Sequence, residues 1–332
     1  MDILKNIYIK ILFIISFIIL IISGNSYAQD AIFSQFYANP LYLNPAFAGT
    51  QCSNVRLSYR NHPWPTFGTY STYSIAYDTD IPVLSGGLGI MAYADRQAGM
   101  LATYDVSGIY SYHLKLSDNY SASFGVMAGY HRKELNYGNL IFADQYDPFN
   151  NTVLPSQESP PQSDSRYNVD FAAGILIFSD NLFGGISAYH LSQPDMGFYE
   201  TQRLPYKLTA HLGFNLLSGN SRRNFQNDKS LTISPNIIYQ RQSQYQRINA
   251  GAYFDYGIMT IGSWLRYDFK NNYYLIFLAG INQGNYRIGY SYDYSLSGLY
   301  GITSGVHEIS VSLKFNCRTK KSKYRILNCP TF

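Results

Sequence analysis

The stretch from Asn285 to Phe315 alternates with a period of two. Tyr286, Ile288, Tyr290, Tyr292 and Tyr294 share one parity, and Arg287, Gly289, Ser291 and Asp293 share the other. After a loop rich in Ser, Gly and Thr the pattern resumes, with Ile309, Val311, Leu313 and Phe315 set against Glu308, Ser310, Ser312 and Lys314. Successive strand side chains point to opposite faces, so each segment is a ribbon with one apolar and one polar side. The same reading along the chain predicts fourteen strands, near 54–62, 70–79, 84–94, 101–116, 119–133, 166–179, 181–192, 204–217, 229–242, 245–255, 257–269, 272–282, 285–295 and 305–316. Those at 84–94 and 181–192 alternate least. Pro205 and Pro235 are expected at strand starts or bulges, where a missing amide donor is tolerated.

Ribbons of this kind bury the apolar face in a sandwich or turn it to lipid in a barrel, and the connections separate the two. In a membrane barrel every second connection is a short periplasmic turn and the others can be long. Ser117-Asp118-Asn119, Ser179-Asp180-Asn181, Asp255-Tyr256-Gly257 and Gln283-Gly284-Asn285 read as tight turns on one side. His62–Thr69, Asp95–Met100, Leu135–Ser165, Ser192–Arg203 and Leu296–Ser304 read as larger loops on the other, with Ser218–Asp228 the exception. The predicted fold is therefore all-β, a transmembrane antiparallel β-barrel of about fourteen strands over residues 54–316. Facing follows from parity: Tyr290→Arg should be costly on the lipid side, and Ser291→Arg mild inside.

Composition agrees. Charged residues are 14% of the chain, against about 25% in an ordinary soluble domain. The 33 Tyr and 26 Gly suit close-packed strands with interfacial aromatic girdles. A net charge of +4 without a basic stripe across the strands argues against a nucleic-acid partner.

The N-terminus reads as a secretory signal peptide over residues 1–28. Lys5 and Lys10 flank a short basic region, Ile11–Ile22 is apolar apart from Ser16, and Ser26-Tyr27-Ala28 places the cut between Ala28 and Gln29. A transmembrane helix would need about 20 apolar residues. Export allows disulfides. Cys52 just before the first strand is expected to pair with Cys317 or Cys329 across the barrel seam, while three free thiols stay open as the alternative. Residues 317–332 form a basic tail, Arg318–Arg325 being its charged run, expected as a solvated periplasmic extension.

Residues 29–53 are not a strand. Asn39-Pro40 and Asn44-Pro45 favour turns, and Phe33, Phe36, Tyr37, Tyr42 and Phe47 would be costly in water. The segment is expected to tuck into the periplasmic mouth or the lumen, either as a packed lead-in or as a plug or docking element.

Little in the chain points to chemistry. His62, His113, His131, His190, His211 and His307 accompany no nucleophilic Ser motif and show no metal-ligand spacing. No catalytic, cofactor-binding or metal-binding residue is predicted. Arg266, Asp268, Arg287, Asp293, Glu308 and Lys314 share the lumen parity and are expected to form a mixed-charge network. The Leu135–Ser165 loop, with Asp144, Asp147, Glu158 and Asp164 among prolines, reads as a solvated surface loop, with a binding loop for an exported partner as the alternative; an acid-lined Ca²⁺ site finds little support without EF-hand spacing.

The run F-S-Q-F-Y-A-N-P-L-Y-L-N-P-A-F-A-G contains Phe33, Ser34, Gln35, Phe36, Asn39, Pro40, Asn44, Pro45 and Gly49. With Tyr59, Arg60, Asn61, Trp64 and Pro65 in Y-R-N-H-P-W-P, it resembles the PorP/SprF family of type IX secretion and gliding-machinery proteins. D-R-Q-A-G at Asp95–Gly99, I-F-A-D-Q at Ile141–Gln145, H-E-I-S at His307–Ser310 and the terminal C-P-T-F resemble it too. One departure is His62-Pro63, where the family more usually shows Gln before Trp-Pro, and it bears on the first loop. The resemblance implies a non-catalytic outer-membrane barrel with both termini periplasmic. It would work in the lipid bilayer with lipoproteins of the secretion machine and with gliding-adhesin-like cargo bearing a type B C-terminal sorting domain. The alternative is a porin-like or fatty-acid-transporter-like channel for small or hydrophobic solutes.

Overall fold

A computed structural model describes residues 30–51, 53–65, 68–147, 152–153, 155–218, 231–297 and 304–315. The leader with its Ala28/Gln29 cut, the cysteines Cys52, Cys317 and Cys329, and the basic tail lie outside the described residues.

Fourteen long strands follow the alternation: β1 (Ser53–Trp64), β2 (Gly68–Ile81), β3 (Gly86–Gln97), β4 (Leu101–Lys115), β5 (Ser121–Leu135), β6 (Ser165–Phe178) and β7 (Leu182–Tyr189). Then come β8 (Lys207–Phe214), β9 (Leu231–Gln242), β10 (Tyr245–Tyr256), β11 (Met259–Asp268), β12 (Asn272–Gln283), β13 (Tyr286–Ser295) and β14 (Val306–Phe315). Each pairs antiparallel with its sequence neighbours, and β1 also pairs with β14, Ser53 opposite Phe315 and Asn61 opposite His307. Every long strand therefore has a partner on both sides, and the sheet has no free edge.

Two expectations about connections are corrected. The loops read at His62–Thr69 and Asp95–Met100 are shorter than expected, because β1 and β2 reach Trp64 and Gly68 while β3 and β4 reach Gln97 and Leu101. Side chains near a rim need not alternate to stay in the ladder, so polarity there marks the water interface rather than the end of pairing. The long connections on that rim are 136–164 and 190–206. Within 136–164 a two-residue ribbon pairs Tyr146 with Val153 despite the prolines. Pro235 lies inside β9 rather than at its start. The β8 ladder stops at Gly213–Asn236 and resumes, in register, at Leu216–Ile233. The missing proline donor breaks the ladder without shifting it.

Tyr286, Ile288, Tyr290 and Ile309 are exposed on the outside, as are Val126, Ile261 and Met259 from other strands. Apolar side chains of this size around a whole circumference far exceed the patches a soluble protein shows to water. They form the lipid face of an outer-membrane barrel.

The inside is filled. Residues 33–50 are all buried, although the segment has little regular structure. A single helical turn, α1 (Pro40–Leu43), and a 3-10 turn (Pro45–Phe47) each begin with a proline, whose fixed φ suits a first helical position and whose missing N–H is no loss there. Phe33, Phe36, Leu41 and Phe47 pack against Trp264, Tyr253, Phe183, Leu176 and Ile276 of the wall. The hydrophobic core of this protein is the lumen.

Candidate functional site

The N-terminal segment fits the wall at points that glycine makes possible. Gly49 adopts φ +66°, a left-handed conformation, and a Cβ there would meet Gly87 Cα of β3 at 2.4 Å. At Gly125 of β5 a Cβ would lie 2.2 Å from Ala46 N. Side chains make the remaining contacts. Asn44 accepts from Ala46 N at 2.9 Å, which caps the 3-10 turn, and its Nδ2 lies 3.1 Å from Ile175 O and 3.2 Å from Ile186 O. Asn39 Nδ2 donates to Ser58 Oγ at 3.1 Å and its Oδ1 accepts from Ser74 Oγ at 3.0 Å. Wall hydroxyls satisfy the backbone carbonyls that the irregular segment leaves open. Tyr189 donates to Leu41 O at 2.8 Å, Ser187 to Leu43 O at 2.7 Å and Ser123 to Ala46 O at 2.7 Å. A buried loop without such partners would carry a large desolvation cost.

A second set of contacts holds Ser34 and Gln35. Glu308 accepts from both backbone amides, at 2.7 and 3.1 Å, while Gln35 Nε2 donates to Ser291 Oγ at 3.2 Å. Ser34 Oγ donates to Asp293 Oδ2 at 2.6 Å and accepts from Arg266 Nη2 at 2.9 Å. Arg266 Nη1 pairs with Asp293 at 3.0 Å, and Arg60 Nη2 approaches the same carboxylate at 3.9 Å. These charged groups are almost wholly removed from solvent, so pairing and hydrogen bonding are what make their burial tolerable. The expected mixed-charge network is therefore partly a network with the plug: Arg287 sits over the Tyr37 ring, 5.2 Å from its centre.

A third cluster lies nearer the long-loop rim. Asp105 of β4, His131 of β5, Asp170 of β6, His190 just after β7, Asp30 of the N-terminal segment and Lys207 of β8 form one continuous chain of close contacts. Beside it opens a cavity of about 430 Å³ lined by Asp30, Arg60, Trp64, Tyr93, Asp95 and His131, among others. In the 190–206 connection, Asp195 accepts from Gly197 N at 3.0 Å and Gln202 N at 2.7 Å, and these donors hold its carboxyl below the usual range.

Phe33, Ser34, Gln35, Phe36, Asn39, Pro40, Asn44, Pro45 and Gly49 all lie buried in the lumen. The first-strand motif divides. Arg60 points inward to Asp293, Trp64 lines the cavity, Tyr59 is outside and packs on Tyr73 at 4.9 Å, and Pro65 is exposed at the turn. Asn61 is half-buried near the same rim. Sequence reading missed the wall residues that receive the plug. Trp264, Tyr253, Ile276 and Leu176 are large apolar residues on the lumen parity, and that break in alternation was the available signal. It also missed that His131 and His190, far apart in the chain, meet around Asp170. Barrel closure rather than sequence spacing brings them together.

The sequence matches the family model described as type IX secretion system membrane protein PorP/SprF over residues 25–313. No curated protein matches it. Among solved structures it is similar to the Ralstonia pickettii toluene transporter TbuX, with 12% identity, a TM-score of 0.48, and coverage of 88% of this chain and 96% of that one. The Acinetobacter baumannii outer membrane protein Omp33 gives 9% identity, a TM-score of 0.44, and coverage of 80% and 100%. A Pseudomonas aeruginosa FadL homologue gives 11%, 0.43, and 82% and 93%.

Proposed function

The chain belongs to the PorP/SprF family of type IX secretion system membrane proteins, and from that we propose that it serves as a closed, non-catalytic docking barrel for exported protein at the outer membrane. The observation that carries this reading is the filled lumen. Residues 33–50 occupy the space a solute would need, and their polar groups are bonded to strands around the wall, from Asn39–Ser58 on β1 to Ser34–Glu308 on β14. A barrel with its core inside is built to present its rims and loops, with cargo carried on its outside surfaces. In this reading the short-turn rim, where β1 begins and β14 ends, faces the periplasm and the lipoproteins of the secretion machine. The 136–164 and 190–206 connections face outward, toward cargo with a type B sorting domain.

The channel alternative requires the plug to leave, so two measurements distinguish them. Purified full-length protein in a planar bilayer should show no steady conductance. Affinity purification from membranes should bring down a secreted protein with a type B sorting domain or periplasmic lipoproteins. A stable open conductance with no such partner recovered would replace docking by transport.

A further inference from the structure

His131 and His190 direct their ring nitrogens at one carboxylate oxygen. His131 Nε2 is 3.4 Å from Asp170 Oδ2, and His190 Nδ1 is 2.6 Å from it. We propose that His131, Asp170 and His190 form a binding site for a divalent first-row transition metal, with Zn²⁺ the best match.

Five observations support it. The three ligand atoms lie within 4.8 Å of one another, and all three residues are buried. His131 is 3% exposed, and its Nε2, aimed into the cluster, makes no hydrogen bond. A tetrahedral ion with bonds of about 2.0–2.2 Å places its ligands roughly 3.3 Å apart, so the His131–Asp170 spacing already fits while the His190–Asp170 hydrogen bond must open. The outer nitrogens are backed by carboxylates: His131 Nδ1 lies 3.0 Å from Asp105 Oδ2, and His190 Nε2 lies 2.9 Å from Asp30 Oδ2. A metal-ligating histidine almost always has its outer nitrogen hydrogen-bonded to such a group, which fixes its tautomer and raises its basicity; His190 already makes that bond to Asp30, and His131 has the Asp105 carboxylate at contact distance. Ser192 Oγ donates to Asp170 Oδ1 at 2.7 Å, leaving Oδ2 as the inward ligand atom. Two imidazoles and one carboxylate suit zinc or its neighbours, whereas Ca²⁺ and Mg²⁺ prefer all-oxygen sets.

The charge around the cluster favours a cation. The chain of contacts holds the carboxylates of Asp30, Asp105 and Asp170 against one lysine, Lys207. Arg60, Asp95 and Lys133 line the adjoining cavity with Asp30 and His131. A divalent cation bound between the two imidazoles offsets that excess of negative charge. His131 and Asp30 also line the neighbouring cavity, which gives an ion a route to the cluster. Because Asp30 belongs to the N-terminal segment, the loaded site also fastens that segment to β5, β6 and the β7–β8 connection.

The test uses untagged full-length barrel, folded in detergent, stripped with chelator, then titrated with Co²⁺ and Zn²⁺. One ion per chain should bind, with a visible Co²⁺ d–d band. His131→Gln should weaken Zn²⁺ binding at least 10-fold, and Asp105→Asn, which removes only the backing carboxylate, by about 10–100-fold. His307→Gln, whose ring contacts Tyr290 OH, should bind as the unaltered protein does. If the His131 variant does not fold, as judged by heat-modifiable migration, the Asp105 variant and the Co²⁺ band of the native protein carry the test. Folded native protein that binds neither ion, or a folded His131→Gln that binds Co²⁺ with the same band and affinity, overturns the site.

Discussion

Two adjacent positions on β13 show why the two sides of this wall respond differently. Tyr290 is 44% exposed on the lipid side, and an arginine there should cost about 2–4 kcal/mol near the bilayer centre. Ser291 is fully buried, and its Oγ accepts from Gln35 Nε2. The parity reading expected Ser291→Arg to be mild, as it would be in a water-filled lumen. The filled lumen reverses that expectation, because an arginine must displace Gln35 and sit in a dry site. Overpacking of this kind costs about 1–3 kcal/mol. Tyr290→Arg should therefore lower folded yield, seen as lost heat-modifiable migration. Ser291→Arg should instead leave a folded barrel whose N-terminal segment is cut by added protease. Equal protease resistance of that segment in Ser291→Arg and native protein would contradict this packing. Gly125 tests the same contact from the wall. Gly125→Val places atoms where Ala46 N now lies, so it should destabilise by about 1–3 kcal/mol, read as a lowered migration-shift temperature, while Ala128→Val on the outer face should not.

The strands were legible element by element because a period of two needs no knowledge of what the strand packs against. Even β3 and β7, where alternation is weakest, were found from their flanking turns. The N-terminal segment was legible only as something that could not stay in water. Its aromatic residues and its two Asn-Pro steps set a requirement for burial and for turns, but the receiving surface is spread over many strands. The trace of that surface lies in runs such as Leu275–Leu278 and Ile175–Phe178, apolar on both parities, as expected where both faces of a strand are covered. The histidine cluster left no comparable trace, since its members are single residues on separate elements. Asn44 tests whether the segment is held as one element. Asn44→Ala leaves the acceptors Ile175 O, Ile186 O and His211 Nε2 without this donor, and also removes the cap on Ala46 N. The expected loss is about 1–3 kcal/mol, and amide exchange should rise across residues 39–50 together. Faster exchange confined to Ala46 would show that the turns are held independently.

At the scale of the whole molecule, the direction in which the barrel sits decides which rim can meet secreted protein. Outer-membrane barrels carry their short turns toward the periplasm and their longer loops outward. Here the 136–164 and 190–206 connections share one rim, and the 116–120, 179–181 and 284–285 turns share the other. The same short-turn rim holds the paired ends of β1 and β14, so insertion in this sense would leave the long connections outside and both barrel ends on the periplasmic side. Gln157 is exposed in the long connection, and Asp118 keeps 93% of its side chain exposed in a short turn. Gln157→Cys should react with a membrane-impermeant maleimide on intact cells, above the background of the native thiols. Asp118→Cys should react only after the outer membrane is opened. The reverse pattern would place the short turns outside, and cargo docking would then have to be sought on the rim where the chain enters and leaves the sheet.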